Sequence, residues 1–139
     1  MTDSPHLAEW ILDQTTDSVI YADRDGTILR WNQAAASLFG HDAAEAVGRN
    51  LDIIIPEHLR AAHWAGYRCA MDSGRTRLAG RPSVTRAVHK SGSRLYVEMT
   101  FAVVKDDDGN VVGSVAIARD ATQRMQRERS AAAGKGPGA

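Results

Sequence analysis

Apolar and polar residues alternate along five stretches of the chain, and between these stretches apolar residues recur at helical spacing. Alternation with a period of two is typical of strands that bury one face. The predicted strands cover residues 18–22, 28–31, 83–89, 94–105 and 111–120. Glycine-containing turns join the first strand to the second and link the last three in succession. Such hairpins pair strands antiparallel, so the sequence predicts an α+β fold with a five-stranded antiparallel sheet.

Helical stretches precede, interrupt and follow the strands. The predicted helices cover residues 6–14, 33–39, 43–47, 51–54, 56–71 and 122–129. Asn32 is placed to cap the second of these helices, and Gly40 to end it. The helices are expected to cover one face of the sheet, with the first and the last flanking the domain. The tail from residue 130 is small and rich in glycine, so it is expected to be disordered.

The longest predicted helix carries a histidine on its inner face. The residues at the i, i+3, i+4, i+7, i+8 spacing of a buried stripe are Leu59, Ala62, His63, Gly66 and Tyr67. Several of them are small, which leaves room for a flat group against the helix. His63 is therefore either a core histidine hydrogen-bonded to a carbonyl or a ligand that faces a pocket between this helix and the sheet.

Composition limits the classes of function. The chain has 139 residues, 43% hydrophobic and 24% charged, which suits one domain with an ordinary core. Its formal net charge is zero and no basic stripe is present, so no nucleic-acid partner is expected. No apolar run is long enough to span a membrane, and the single cysteine suits a reducing compartment, so we expect a cytoplasmic protein. Cys69 itself is expected to be buried, and His41 and His89 to be exposed.

Short motifs spread over residues 18–122 resemble those of PAS domains. The matching residues are Asp25-Gly26-Thr27-Ile28, Trp31-Asn32-Gln33-Ala34-Ala35, Leu38-Phe39-Gly40, Val47-Gly48, Ile55-Pro56, Gly92, Gly109-Asn110 and Arg119-Asp120-Ala121-Thr122. The resemblance implies a PAS fold with a sensory function, formed by residues 18–121. It also implies a flanking helix within residues 1–17 and an output helix within residues 122–139, through which two copies would form a homodimer. A sensor rather than an enzyme is expected, since no catalytic triad or phosphate loop is present.

A narrower resemblance lies around His63. Residues 55–63 are similar to the helix that bears the proximal iron ligand in haem-binding PAS domains of bacterial oxygen-sensor kinases and of a direct-oxygen-sensor phosphodiesterase. This resemblance implies that the chain binds haem b, with His63 as the ligand of the iron. Residues 74–81 resemble the phosphodiesterase loop that lies over the distal side of the haem. Arg81 stands where that loop has a methionine, and Ser83 stands where the kinases have an arginine that hydrogen-bonds bound oxygen.

Further residues are expected around the haem. Arg81 is expected to hydrogen-bond to a diatomic ligand or to hold a propionate, and Met99 is a second candidate for the distal side. The candidates for propionate partners are His58, Arg60, Arg68, Arg75 and Arg77, of which Arg68 is the strongest. The opposite wall is expected to consist of the alternating strand residues Leu95, Val97, Met99 and Phe101. These four residues are core residues whether or not a haem is present.

The function that follows is a sensor of a diatomic gas, with oxygen before CO or NO, or of redox state. Three alternatives are open. The first is a flavin-binding sensor, with Trp31 or Trp64 stacked on the flavin. The second is an empty module that dimerises through the apolar side of its N-terminal helix, formed by Leu7, Trp10 and Ile11. The third is a haem enzyme with peroxidase-like activity, for which a distal histidine is lacking.

Overall fold

The structure is a computed structural model and describes residues 4–134. Its strands are β1 Ser18–Asp23, β2 Ile28–Trp31, β3 Ser83–Val88, β4 Arg94–Lys105 and β5 Val111–Asp120. They form one antiparallel sheet in the order β2-β1-β5-β4-β3. The α-helices are α1 Leu7–Gln14, α2 Gln33–Phe39, α3 Ala43–Ala46, α4 Arg60–Ser73 and α5 Thr122–Gly134. Two 3₁₀ turns, Leu51–Ile54 and Glu57–Leu59, precede α4.

The predicted α+β fold with a five-stranded antiparallel sheet is confirmed. On the inner face of the sheet, large side chains of β4 lie beside small ones of β5. Met99 pairs with Ala118 and Phe101 pairs with Ala116 in the register of these two strands. Because the alanines leave space that the β4 side chains do not fill, the centre of the sheet forms the floor of a cavity.

Asn32 joins the start of α2 to α1 and β1. Its Oδ1 accepts hydrogen bonds from the backbone N–H groups of Ala35 and Val19, at 3.0 and 2.9 Å. Its Nδ2 donates to the carbonyls of Leu12 and Asp17, at 2.9 and 3.0 Å. Asn32 is only 3% exposed, so these bonds are largely shielded from water. It therefore caps α2, as predicted, and also holds α1 against the domain.

Helix α4 packs over the inner face of the sheet. Its buried residues are Tyr67, Ala70 and Met71. Trp64 fixes the position of this helix against the turn between β1 and β2. Its ring packs on Gly26, where a Cβ would overlap the ring, and its Nε1 donates to Oδ1 of Asp52 at 2.8 Å. Gly26 also has a φ of 84°, so both space and backbone conformation require glycine there.

Helix α5 docks on the outer face of the sheet, against side chains that alternate with the inner ones of β4. Nη1 of Arg124 donates to Oε2 of Glu98 at 3.1 Å. The guanidinium of Arg129 lies 5.0 Å from the ring centroid of Tyr96, in a cation–π contact. The helix continues to Gly134. The prediction that the chain is disordered from residue 130 is therefore wrong for residues 130–134. The rest of the predicted tail lies outside the described residues.

Helix α1 precedes β1 and lies beside α2, where Nε2 of Gln33 donates to Oδ2 of Asp13 at 2.7 Å. An ion pair between Glu9 and Arg30, with a distance of 3.1 Å, adds to the bonds from Asn32 that hold it. Trp10 and Ile11 are 51% and 62% exposed, so α1 presents an apolar surface to the outside. None of the described helices is long and apolar enough to cross a membrane.

Candidate functional site

A cavity lies between α4 and the inner face of the sheet. Its main part has a volume of about 510 Å³, and an adjoining part, next to the loop after α4, has about 270 Å³. Small-molecule sites commonly have about 300–1,000 Å³, so the main part alone can hold a ligand. The residues that line both parts are Ala62, His63, Gly66, Arg77, Met99 and Phe101.

His63 is half-buried in the α4 wall of this cavity. Its Nδ1 is buried and has no hydrogen-bond partner among the described residues. Burial lowers the pKa of the imidazole, and the nearby carboxylate of Asp52 opposes that shift only in part. The ring is therefore neutral at pH 7 and keeps a lone pair for a metal. The alternative interpretation, a core histidine hydrogen-bonded to a carbonyl, finds no support at Nδ1, because no carbonyl accepts a hydrogen bond from it among the described residues.

His63 stands apart from other metal-binding side chains. Within residues 4–134 no three His, Cys, Asp or Glu side chains are grouped in a way that could hold a metal ion. Protein sites for bare transition metals use three or four such ligands. One imidazole in an apolar cavity therefore does not fit a bare ion, but it fits a metal that carries its other ligands with it, as haem iron does.

Apolar side chains of β4 form the wall on the sheet side. Val97, Met99 and Phe101 line the main part of the cavity, and the last two also line the adjoining part. Val97 is buried, whereas Met99 and Phe101 are half-buried. Leu95 packs on the same core but is not among the lining residues. This wall offers apolar and aromatic surface to a flat ligand.

Two arginines supply positive charge at the exposed side of the cavity. Arg77 lines both parts and Arg81 lines the adjoining part, and both side chains are exposed. Nε of Arg81 donates to the carbonyl of Leu78 at 3.0 Å, which ties the base of its guanidinium to its own loop. Arg68 lies on the exposed side of α4 and lines neither part. A third exposed arginine, Arg86 of β3, lines the main part, so positive charge reaches the cavity both from the loop after α4 and from β3.

Small residues on α4 give the cavity its depth. Ala62 and Gly66 belong to the stripe predicted to be buried, but they are exposed because they face the cavity. A Cβ added at Gly66 meets no atom within 4 Å, so a side chain there would enter open space. Tyr67 of the same stripe is buried, and Leu59 is half-buried.

Other residues singled out in the sequence lie away from the cavity. Cys69 is exposed, so the expectation that it is buried is wrong. His41 is only 9% exposed, which also contradicts its prediction. Its ring lies edge-on to Trp31, and Nε1 of Trp31 donates to its carbonyl at 2.9 Å. Trp31 and Trp64, the candidates for stacking on a flavin, line neither part of the cavity.

The structure adds Tyr67 to the site. Its ring centroid lies 5.7 Å from that of His63, with an interplanar angle of 34°. Its hydroxyl donates to the carbonyl of Asp23 at 2.6 Å. Burial raises the pKa of Tyr67, so the phenol stays protonated and can donate throughout the physiological range. Helical spacing predicts that this residue is buried, but the partner of its hydroxyl lies 44 residues away in the chain, so no local pattern signals the bond.

The five-stranded sheet and the helices above it enclose a ligand-sized cavity, which defines a small α+β domain that can hold a ligand. The sequence model of the family described as PAS fold matches residues 12–126. The chain belongs to this family, and it is a PAS sensor domain for signal transduction.

Two curated relatives are sensor proteins. The oxygen sensor protein DosP of Escherichia coli is 29% identical over 135 residues, which are 94% of this chain and 17% of that protein. The sensor protein FixL of Bradyrhizobium diazoefficiens is 39% identical over 130 residues, which are 91% of this chain and 25% of that protein. The chain therefore spans a quarter or less of the length of these relatives.

Solved structures share the fold at low sequence identity. The PAS domain of a protein from Colwellia psychrerythraea is 20% identical with a TM-score of 0.72, and the match covers 84% of this chain and 95% of that one. An RNA-binding light-oxygen-voltage receptor is 22% identical with a TM-score of 0.70, over 89% of this chain and 35% of that one. At such identities the likeness establishes the fold alone.

Proposed function

We propose that this PAS domain binds haem b in its cavity and senses a diatomic gas, with oxygen as the first candidate. The observation that carries the proposal is His63, a neutral imidazole in the wall of an apolar cavity whose Nδ1 has no protein partner among the described residues. The resemblance of residues 55–63 to haem-binding PAS domains supports the same ligand. The relative named as an oxygen sensor supports the choice of gas.

The residues of the cavity fit this group. His63 would hold the iron, and Phe101 would lie against the porphyrin. Arg77 and Arg81 would neutralise propionates, or Arg81 would donate a hydrogen bond to the gas, with Met99 as the alternative distal group. When bound, haem supplies an iron with a free coordination position for a diatomic gas.

The absorbance spectrum of the purified chain tests this proposal. We expect a Soret band after reconstitution with haem b that shifts on reduction and again on addition of CO, with iron and protein in equal amounts. A flavin spectrum would contradict the proposal in favour of a flavin sensor. A colourless protein that takes up no haem would contradict it in favour of an empty dimerisation module.

We also propose that the domain forms a homodimer and is located in the cytoplasm. A homodimer through the flanking helices is supported by Trp10 and Ile11, which α1 leaves exposed. A cytoplasmic location is supported by the single cysteine, Cys69, which suits a reducing compartment. A peroxidase-like activity finds no support, since none of the histidines other than His63 lines the cavity in the described part of the chain.

A side chain at position 66 is expected to compete with the cofactor. Gly66→Ala should keep haem binding and raise the free energy of unfolding by about 0.5–1 kcal/mol, because alanine favours the helix over glycine. Gly66→Phe should lose the Soret band while the circular dichroism stays native, since the ring would occupy the open space beside His63. The matched control is Ala65→Phe, at an exposed position outside the lining. Equal haem uptake in both phenylalanine variants would contradict the placement of the cofactor against α4.

Arg81→Ala is expected to weaken oxygen binding more than CO binding. A hydrogen bond from a charged donor contributes about 1.5–3 kcal/mol, which corresponds to roughly a tenfold to hundredfold loss of oxygen affinity. Bound CO carries less charge on its terminal atom and should change little. Arg75→Ala is the matched control, because Arg75 lies in the same loop and does not line the cavity. If both gases lose affinity equally, Arg81 acts on access or packing and the donor role fails.

A further inference from the structure

Tyr67 lies one helical turn beyond His63 on α4, and its ring contacts both His63 and Phe101 of the sheet. It is 3% exposed, and its ring centroid lies 5.7 Å from the ring of His63 and 6.0 Å from the ring of Phe101. On the other side Trp64 packs edge-on at 5.3 Å. Three aromatic rings thus pack against the phenol, which also borders the adjoining part of the cavity. A movement of the imidazole on loading of the cavity would therefore change its contact with the ring of Tyr67.

The hydroxyl of Tyr67 joins α4 to two central strands. It donates to the carbonyl of Asp23, at the end of β1, at 2.6 Å. It also lies 3.0 Å from Oγ of Ser114 on β5, a residue that is 2% exposed. A phenol has a single proton, so with Asp23 as its acceptor the Ser114 hydroxyl must be the donor to the phenol oxygen. One side chain thus connects the cavity wall to β1 and β5 at once.

Strand β5 leads from this bond to the exit helix. It is paired with β1 on one side and with β4 on the other, so it moves with its neighbours and not as a free segment. It ends at Asp120, whose Oδ1 accepts a hydrogen bond from the backbone N–H of Thr122 at 2.8 Å. Thr122 is the first residue of α5. A displacement of Ser114 along the strand therefore reaches the first turn of α5.

We propose that Tyr67 is a positioning residue that transmits occupancy of the cavity at His63 to β5 and from there to α5. The inference rests on the proposed function, since it takes haem b as the occupant. The phenol ring responds to the imidazole, and the hydroxyl passes the displacement to Ser114. Removing the hydroxyl should leave the cavity wall in place and disconnect it from the strand.

The test compares Tyr67→Phe with Tyr21→Phe. The first keeps the ring and loses the hydroxyl that bonds to Ser114. The second loses a hydroxyl that donates to the carbonyl of Val112 at 3.1 Å, and Val112 lies on β5, as Ser114 does. The ring of Tyr21 does not line the cavity. Amide hydrogen exchange is measured for each chain, free and loaded with haem b, and the Soret band is recorded on the same samples.

In the wild-type chain and in Tyr21→Phe, loading is expected to change amide exchange in α4, β5 and α5, by about fivefold or more in α5, the lower end of measured coupling between sites. Tyr67→Phe should keep the Soret band and the change in α4 but lose the change in α5. A merely structural role would alter exchange in the free and loaded forms alike. If Tyr67→Phe shows the wild-type change in α5, the relay is overturned while haem binding stands. If the wild-type chain takes up no haem, the proposed function is overturned and the relay with it.

Discussion

Replacing His63 with alanine is expected to abolish stoichiometric binding of haem b while the fold survives. Among the described residues no second imidazole lines the cavity, and no three His, Cys, Asp or Glu side chains are grouped to hold a metal, so the iron would lose its histidine ligand. Stability should fall by only about 1 kcal/mol, the centre of the range for single substitutions. The buried Nδ1 makes no hydrogen bond that could be lost. Reconstitution with haem b, followed by the Soret band and by circular dichroism, checks both expectations.

His58→Ala is the matched control for this result. His58 is an exposed histidine in the 3₁₀ turn just before α4 and does not line the cavity. Its variant should take up haem like the wild-type chain. A normal Soret band in His63→Ala would remove His63 as the ligand, and loss of the band in both variants would point to a general disturbance of the helix.

The second large effect concerns stability. Asn32→Ala is expected to lower the free energy of unfolding by about 3–5 kcal/mol. The change removes the cap of α2, worth about 1 kcal/mol, and leaves several shielded backbone groups unpaired at about 1–3 kcal/mol each where water cannot reach them. These groups are the N–H of Val19 and Ala35 and the carbonyls of Leu12 and Asp17. Urea unfolding measures the loss, and limited proteolysis should show earlier cleavage around α1.

Two further variants serve as controls and could contradict this prediction. Asn50→Ala removes another asparagine cap, but an exposed one whose Oδ1 accepts only from the N–H of Asp52, so it should cost about 1 kcal/mol or less. Asn32→Asp keeps the acceptor and loses both donors, so its stability should lie between those of Asn32→Ala and the wild-type chain. Equal losses in Asn32→Ala and Asn50→Ala would show that the buried bonds of Asn32 contribute nothing beyond an ordinary cap.

Local patterns were sufficient to predict the sheet and the cap of α2. The alternation in β4 is long and regular, and Asn32 is followed directly by a run of helix-forming residues. Both elements can therefore be recognised from a few neighbouring residues. The same patterns cannot predict whether an apolar face packs against other side chains or borders a cavity. Ala62 and Gly66 were expected to be buried, yet they face a cavity, because the side chains across from them on β5 are too small to reach them.

Residues of the candidate site could be predicted only on α4, where the position along the helix determines which side a side chain lies on. His63 lies on the inner side of α4, whereas Arg68 is five positions further, which is about 140° around the helix axis, and it lies outside the cavity. Arg77 lines both parts of the cavity from a loop, where no periodicity indicates direction. His41 is buried by its tertiary contact with Trp31, and that contact leaves no signal in the sequence around it.

Helix α5 covers Tyr96 and Glu98 on the outer face of the sheet, so any protein that used these side chains would have to compete with the helix. Tyr96 and Glu98 hold Arg129 and Arg124, so a protein partner that needs these two β4 side chains can bind only after α5 has left. The helix is tethered to the end of β5, and a short tether gives an effective concentration of about millimolar. Loosening α5 by about 1.4 kcal/mol would raise the apparent affinity of such a partner roughly tenfold. The contacts of Arg124 and Arg129, together with the bond from the N–H of Tyr96 to Oγ1 of Thr122, would therefore set the concentration at which such a partner occupies this surface.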